Sequence, residues 1–159
     1  MERRLTEERI TRCILKWLVE RGWQVISYDY PQSGTGFSLH SKDRELGSKN
    51  TGSIIPDIVA SKAGMVLFFE NKVDFNIIDI EALMLLKNSG LYDISIHELL
   101  KSIGPIEGIF YGIALKNNKK NKDKLCRNED FLDFALLVDD DLSVYKFLDR
   151  GVLIKDEDV

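Results

Sequence analysis

Apolar residues recur every three to four positions near the start of the chain, and this spacing predicts an amphipathic helix over residues 6–21. Thr6 precedes the first apolar position and has the side chain of an N-cap, and Gly22 stands where helices commonly end. The next apolar stretch, residues 23–30, is typical of a β-strand and stops at Pro31. The chain is therefore predicted to begin with one helix followed by one strand.

Two short apolar runs, 54–60 and 65–73, are separated only by Ser-Lys-Ala-Gly, and this arrangement predicts a β-hairpin. Helical patterns follow over 76–88 and 95–103. The second helix begins with the Ser-x-x-Glu spacing of a capping box. The middle of the chain thus predicts a hairpin followed by two helices.

The last predicted strands cover 108–115, 134–138 and 143–148, with a lysine-rich loop after the first of them. The two helices between 65–73 and 108–115 provide enough chain for a right-handed crossover between parallel strands. We therefore expect an α/β fold, a three-layer sandwich in which helices flank a mixed central β-sheet.

The length of 159 residues suits one domain, and we expect residues 1–159 to form it around a core at about 5–148. Residues 32–52 are predicted to be a long polar loop, and residues 155–159 a frayed acidic tail. With 44% hydrophobic and 30% charged residues the composition is that of a globular protein, which excludes a disordered chain.

The cysteines and the charged N-terminus indicate the cellular compartment in which the protein is expected. Cys13 and Cys126 lack the spacing of a zinc site, and two cysteines are too few for a disulfide framework. The N-terminus carries no apolar run like that of a signal peptide, and no stretch reaches the length of about 18 apolar residues that spans a membrane. We expect a cytoplasmic protein with no membrane partner.

The predicted hairpin carries the residues that suggest chemistry, a Pro-Asp pair ending at Asp57 and the triplet from Glu70 to Lys72. Residues i and i+2 of a strand share a face, so Glu70 and Lys72 point the same way. With a four-residue loop at 61–64, Asp57 falls opposite Phe68 and diagonal to Glu70. Both carboxylates then reach one ion, because diagonal neighbours are about 7–8 Å apart.

Two carboxylates and a lysine among apolar strand residues are costly unless something pairs them. Mg²⁺ prefers a few carboxylate oxygens completed by water and phosphate oxygens, which makes Asp57 and Glu70 candidate metal ligands. Lys72 would orient or help deprotonate a water, or stabilise charge on a phosphate. The alternative is a plain hairpin whose solvated face carries the three residues as cross-strand pairs.

The pattern resembles the PD-(D/E)XK nuclease superfamily, which includes many restriction endonucleases. The resemblance rests on Pro56-Asp57 and Glu70-x-Lys72 in consecutive predicted strands, and it covers about residues 5–115. The D/E-x-K triplet occurs once, after the only Pro-Asp of the chain. The resemblance implies a restriction endonuclease-like core in which Asp57 and Glu70 bind Mg²⁺, or Mn²⁺ in its place, and Lys72 serves the attacking water.

Members of this superfamily often add an acidic residue on the first helix. At about 100° per residue, Glu7 falls within the apolar sector of the helix at 6–21, which makes it the candidate for a third acid. Other members carry the second carboxylate on the helix after the lysine. Glu81, on the predicted helix at 76–88, keeps that variant open.

The net charge of −4 provides no overall positive field for a polyanion, so contact with nucleic acid is expected to run through bound metal and local lysines. The possible DNA contacts are the lysines of the loop after strand 108–115, namely Lys116, Lys119, Lys120, Lys122 and Lys124. A merely solvated loop is the alternative for this segment.

These features together predict a Mg²⁺-dependent DNA endonuclease, a metal-dependent phosphodiesterase of restriction type or one subunit of such an enzyme. The alternatives are a structure-specific nuclease of repair or recombination, similar to a resolvase, and a catalytically silent DNA-binding or interaction module with the nuclease fold. Cleavage of both strands is expected to need a homodimer or a partner subunit, because little chain remains beyond the core.

Overall fold

The computed structural model of the protein describes residues 4–42 and 53–153. Within these ranges the helices are α1 (Glu7–Glu20), α2 (Ile77–Asn88), α3 (Asp93–Leu100) and α4 (Lys119–Arg127). The strands are β1 (Gln24–Tyr28), β2 (Ile58–Lys62), β3 (Met65–Asn71), β4 (Gly108–Lys116), β5 (Phe134–Val138) and β6 (Val144–Asp149). The predicted α/β class is confirmed.

The six strands form one sheet whose spatial order follows the chain, from β1 at one edge to β6 at the other. β3, β4 and β5 are parallel, whereas β1–β2, β2–β3 and β5–β6 are antiparallel pairs. The sheet is therefore mixed, as expected, with α2 and α3 in the crossover from β3 to β4. We call the end where the three parallel strands finish the carboxyl end of the sheet, and the other the amino end.

Helices pack on both faces of the sheet because successive strand residues enter different buried clusters. Phe68 of β3 belongs to the cluster that contains Leu83 of α2, and Phe69 to the cluster that contains Ile14 of α1. Both phenylalanines are fully buried. This double burial fixes the register of β3, since a slip by one residue would exchange the two faces.

The N-cap of α1 was predicted and positions a residue of the site. The Arg9 N–H donates to Thr6 Oγ1 at 3.1 Å, and the helix begins at Glu7. At the other end Gly22 has φ +86, a left-handed conformation that favours glycine. The cap thereby fixes where the first carboxylate of α1 lies.

The β2–β3 hairpin forms as predicted, but its loop is shorter than expected. Lys62 pairs with Met65, so only Ala63 and Gly64 form the turn, with φ of +50 and +84. Positive φ at both positions is typical of the tight two-residue turns that fit the twist of a hairpin. The expected pairing of Asp57 with Phe68 is therefore wrong. The register differs by two residues, and an even shift leaves every side chain on its expected face.

The lysine-rich segment expected as a loop is in fact helix α4. Asn118 caps it by accepting from the Asn121 N–H at 2.8 Å. The inward face of α4 consists of Asn121 and Leu125, and the Asn121 side chain donates to the carbonyls of Val73 and Lys116. A helix that is anchored by an asparagine has little apolar periodicity, which is why the pattern did not predict it.

The predicted capping box at Ser95 is also wrong. α3 begins at Asp93, two residues earlier, without a side-chain cap. Ser95 Oγ instead accepts from the His40 N–H at 2.9 Å and so ties the polar segment after β1 to α3. A tertiary contact has therefore used the hydroxyl that local spacing assigned to a cap.

The expected polar loop 32–52 is described only up to residue 42. Leu39 in this stretch is fully buried and forms an isolated antiparallel bridge with Ile54. Residues 43–52, and the tail 155–159, lie outside the described residues. Among residues 4–42 and 53–153, no helix combines the length and the apolar character that crossing a membrane requires.

Candidate functional site

The β2–β3 hairpin brings Asp57 and Glu70 together at the carboxyl end of the sheet. The Asp57 N–H donates to the Phe69 carbonyl at 3.0 Å, which extends the hairpin register by one residue and sets Asp57 opposite Glu70. The Asn71 N–H donates to Asp57 Oδ2 at 2.7 Å and holds that carboxylate at the end of β3. Opposed residues share a face, so the two acids lie on the same side of the sheet.

Lys72 and Glu7 join this group as an ion pair. Lys72 Nζ lies 2.7 Å from Glu7 Oε1. The backbone of Lys72 is fixed, because its N–H donates to the Ala114 carbonyl at 3.0 Å, and the lysine follows the end of β3. Past the strand end, its side chain can reach from the sheet to α1. The structure thus places all four predicted site residues in one cluster.

A cleft of about 170 Å³ opens beside this cluster. Its lining comprises Glu7, Asp29, Tyr30, Pro31, Asp57 and Lys72. Asp29 enters the site because its N–H donates to the Asp57 carbonyl at 2.8 Å, just past β1. Because a water takes about 30 Å³ in the liquid, the cleft has room for a few waters or one phosphate group.

Burial outweighs the positive charge of Lys72 beside the carboxylates of the hairpin. Burial raises the pKa of Asp57 to about 7, and the charges of other nearby acids add to the rise. Burial raises the pKa of Glu70 well above its ordinary value, helped by the charges of Asp57 and Asp79. A bound divalent cation would favour the charged form of both acids and reverse these shifts.

The environment of Lys72 acts in the opposite direction. Burial by itself lowers the pKa of Lys72, but the hydrogen bond and charge of Glu7, with Asp79 and Asp57 behind it, raise the pKa overall. The ammonium is therefore protonated at neutral pH. It can donate hydrogen bonds to a water or a phosphate oxygen, whereas a lysine acting as general base would need a depressed pKa.

Asp79 is a site residue that the sequence did not reveal. It lies in the first turn of α2 and is 7% exposed, and Asp79 Oδ2 has no hydrogen-bond partner among the described residues. Its charge raises the pKa of Glu70 and of Lys72. The helical periodicity of α2 could have revealed Asp79 in the sequence. Positions 79, 83 and 86 share one face of the helix, and the latter two are buried leucines.

The structure does not bring Glu81 into the site. Glu81 is exposed on α2 and lines a groove of about 610 Å³ with Ile77, Leu85 and Phe131. Glu81 comes two positions after Asp79, and at about 100° per residue the two side chains point to different sides of the helix. The carboxylate that α2 does contribute is therefore that of Asp79.

Asn71 lies between Glu70 and Lys72, and its side chain faces α1, as the alternation of the strand predicts. Asn71 is buried, and its Nδ2 donates to Thr11 Oγ1 at 3.2 Å. The bond joins the end of β3 to the first turns of α1. The distance between Glu7 and Lys72 therefore depends on a buried contact as well as on the helix cap.

α4 places lysines near the same end of the sheet. Its Asn121 donates to the Val73 carbonyl at 2.9 Å and accepts from the Phe75 N–H at 3.0 Å, directly after the site. Lys120 and Lys122 are exposed. The others have partners: Lys116 is 3.9 Å from Asp140, Lys119 is 2.8 Å from Asp123, and Lys124 is 6.0 Å from the Phe75 ring centroid.

The donor set suits a hard cation, although it is incomplete by itself. Within residues 4–42 and 53–153, no three His, Cys, Asp or Glu side chains converge in a geometry that could hold a metal. Asp57 and Glu70 would supply oxygen ligands, and Mg²⁺ is commonly bound by one or two carboxylates with waters and substrate phosphates in the remaining positions. The residues present therefore fit Mg²⁺ or Mn²⁺ as a site completed by water and substrate.

Comparisons with known proteins give no relative for this chain: no family model, no curated protein and no solved structure matches it significantly.

Proposed function

We propose that the protein is a Mg²⁺-dependent nuclease that hydrolyses phosphodiester bonds of DNA, of restriction type or one subunit of such an enzyme. The observation that carries the proposal is the placement of Asp57 opposite Glu70, with the Lys72–Glu7 ion pair and Asp57 lining one cleft. Acids whose charged form is disfavoured by burial are costly, and they are typical of functional sites.

Each residue has a distinct role in this proposal. Asp57 and Glu70 would hold the ion, which when bound supplies Lewis acidity and a more acidic water. Lys72 donates hydrogen bonds to the attacking water or to a non-bridging phosphate oxygen. Glu7 positions Lys72 through their 2.7 Å contact and keeps it charged. Asp79 adds negative charge from α2 and so strengthens the attraction of the site for a cation.

The lysines of α4 are proposed to bind the DNA backbone. Lys120 and Lys122 are exposed, as is Lys119, and α4 is anchored to Val73, directly after Lys72. Such contacts are electrostatic and independent of sequence. A homodimer or a partner subunit would supply the second active site for the opposite strand, and action in the cytoplasm is part of the same proposal.

Two other functions compete with this one. A structure-specific nuclease of repair or recombination would use the same residues on branched or nicked DNA. A catalytically silent module that binds DNA or protein is favoured by the lack of a preformed three-ligand metal site in the described part of the chain. The first would cleave junctions without a sequence requirement, and the second would cleave nothing.

The test is cleavage of end-labelled linear, nicked, junction and single-stranded DNA, with matching RNA, in the presence of Mg²⁺ and then of EDTA. We expect Mg²⁺-dependent products from the wild type and none from Asp57→Asn or Glu70→Gln. Mapping the cut ends shows whether cleavage follows a sequence or a structure.

The matched control is a pair of substitutions at an exposed ion pair on α3, Glu98→Gln and Lys101→Met, where the two side chains lie 2.6 Å apart. These variants should cleave as the wild type does. Equal cleavage by Asp57→Asn and the wild type would contradict the assigned site, and no cleavage of any substrate would favour the silent module.

A further inference from the structure

A stack of two tyrosines and an arginine stands beside the cleft, and the proposed hydrolysis does not use it. The ring centroids of Tyr28 and Tyr30 are 6.2 Å apart at an interplanar angle of 26°. The guanidinium carbon of Arg12 lies 5.2 Å from the Tyr30 centroid. Tyr30 and the next residue, Pro31, line the same cleft as Asp57. The stack therefore borders the place where a phosphate would be held.

Hydrogen bonds hold the stack in place. The Tyr30 N–H donates to Ser33 Oγ at 3.1 Å, and the Ser33 N–H donates back to the Tyr30 carbonyl at 2.9 Å. Arg12 donates through Nη2 to the Tyr30 hydroxyl at 3.0 Å and through Nε to Glu8 at 2.8 Å. The side chains are thus positioned before any ligand arrives, which lowers the entropic cost of binding.

The charges around the cleft favour stacking over simple attraction of phosphates. Lys72 and Arg12, the cations next to it, are already paired with Glu7 and Glu8. The remaining titratable neighbours are acids, namely Asp29, Asp57, Glu70 and Asp79. A nucleic acid at this point needs binding energy of another kind, and an arginine–aromatic stack provides it to any base that presents its flat face.

Only an unpaired base can use such a surface fully, because bases inside a duplex already stack on one another. The Arg12 guanidinium lies over the Tyr30 ring, and the Arg12 side chain is 61% exposed. Bases in single strands stack on aromatic rings and on guanidinium planes.

We propose that Arg12, Tyr30 and Tyr28 form a subsite for an unpaired base next to the scissile phosphate. The substrate class is then single-stranded DNA, or duplex DNA with unpaired nucleotides at the cut, which favours the structure-specific nuclease over the restriction-type enzyme. This inference rests on the proposed nuclease function, since the cleft is where the phosphate would sit.

The test compares the binding of a fluorescein-labelled single-stranded oligonucleotide with that of its blunt duplex, by fluorescence anisotropy. Ca²⁺ replaces Mg²⁺ as an ion that also takes oxygen ligands. The wild type should bind the single strand more tightly than the duplex. Tyr30→Leu should weaken single-strand binding roughly tenfold and change duplex binding less than twofold, and Tyr30→Phe, which keeps the ring, should restore most of the affinity.

The control is Tyr145→Leu, an exposed tyrosine on β6 at the opposite edge of the sheet, which should change neither affinity. Arg12→Gln removes the exposed guanidinium and should weaken single-strand binding even if Tyr30→Leu fails to fold. Tighter binding of the duplex by the wild type, or equal loss on both substrates in Tyr30→Leu and Arg12→Gln, would overturn the subsite.

The Mg²⁺-dependent cleavage assay, run on the same single strand and blunt duplex, separates this inference from the nuclease proposal. If the wild type cleaves blunt duplex as fast as single strands and Tyr30→Leu does not alter that ratio, only the subsite is wrong. If the wild type binds neither DNA and cleaves neither, the nuclease proposal fails as well.

Discussion

The two ends of the sheet treat their partly buried aspartates differently. At the amino end, Asp133 accepts from the Tyr111 N–H at 2.9 Å and from Lys87 Nζ at 3.3 Å, so both of its oxygens have partners. At the carboxyl end, Asp57 accepts one backbone N–H at 2.7 Å, and burial raises its pKa to about 7 in spite of the positive charge of Lys72. Both carboxylate oxygens of Asp133 therefore have hydrogen-bond partners within the fold. The charged form of Asp57, by contrast, is disfavoured by its surroundings.

This difference indicates that Asp57, rather than Asp133, has a functional role. A carboxylate whose oxygens are used by backbone and lysine stabilises the protein, and its loss costs stability. A carboxylate whose charged form is disfavoured by burial and by like charges does not stabilise the fold in this way. Its presence therefore suggests a ligand.

The largest effect is expected from the Asp57→Asn and Asp133→Asn pair. Asp57→Asn should lower Mg²⁺-dependent cleavage by at least roughly 10²-fold and leave the metal-free stability equal or higher, because it removes a costly charge. Asp133→Asn should retain cleavage and lose about 1–3 kcal/mol of unfolding free energy. Cleavage rates and urea melts measure both. If both variants lost stability and kept activity, the two ends would not differ as described.

Replacement of Lys72 should come next in size. Lys72→Met removes the donor beside the two carboxylates, and we expect cleavage to fall by roughly 10²-fold. Glu7→Gln keeps the lysine but weakens its positioning, so its loss should be smaller. Equal loss of cleavage in Lys101→Met, at the exposed pair on α3, would show that the effect is not specific to the site.

The pH dependence of stability should report on Asp57. With its pKa raised from 3.8 to about 7, folded Asp57 holds a proton that the unfolded chain releases. The contribution of Asp57 to the unfolding free energy of the metal-free protein should therefore fall as pH rises between these values and level off above about 7. Asp57→Asn should reduce this slope. Melting in urea across this pH range checks the sign, and an unchanged slope in Asp57→Asn would exclude Asp57 as its source.

The smallest expected effect concerns the lysines of α4. Lys120→Gln combined with Lys122→Gln removes two exposed charges and should weaken DNA binding modestly, with a shallower dependence on salt. Anisotropy at increasing salt measures the slope. An unchanged slope would remove α4 from the binding surface.

Much of the fold was predictable because buried positions recur in the sequence with the period of the helix or strand that carries them. The α1 helix with its Thr6 cap, the β2–β3 hairpin and the parallel crossover all followed from apolar spacing and turn residues. Asp57 and Glu70 could be placed on one face although the loop length was wrong, because the error was an even number of residues.

The remaining features depend on tertiary contacts that no local pattern encodes. α4 is held by the buried polar side chain of Asn121, and Ser95 is engaged by the His40 backbone. Asp29 reaches the site only because β1 pairs with β2. The helical periodicity alone could have placed Asp79 on the buried face of α2. Its role depends on the charges of Glu70 and Lys72, which no local pattern places near it.

We propose that Asp57 and Glu70 at the carboxyl end bind a divalent cation. Calorimetric titration of Mg²⁺ and Mn²⁺ into the purified protein tests it most directly, with Asp57→Asn combined with Glu70→Gln as the site variant and Asp133→Asn as the control. We expect saturable binding by the wild type and by Asp133→Asn, and its loss in the double variant. Equal binding by all three proteins, or no binding by the wild type at millimolar metal, would contradict the claim.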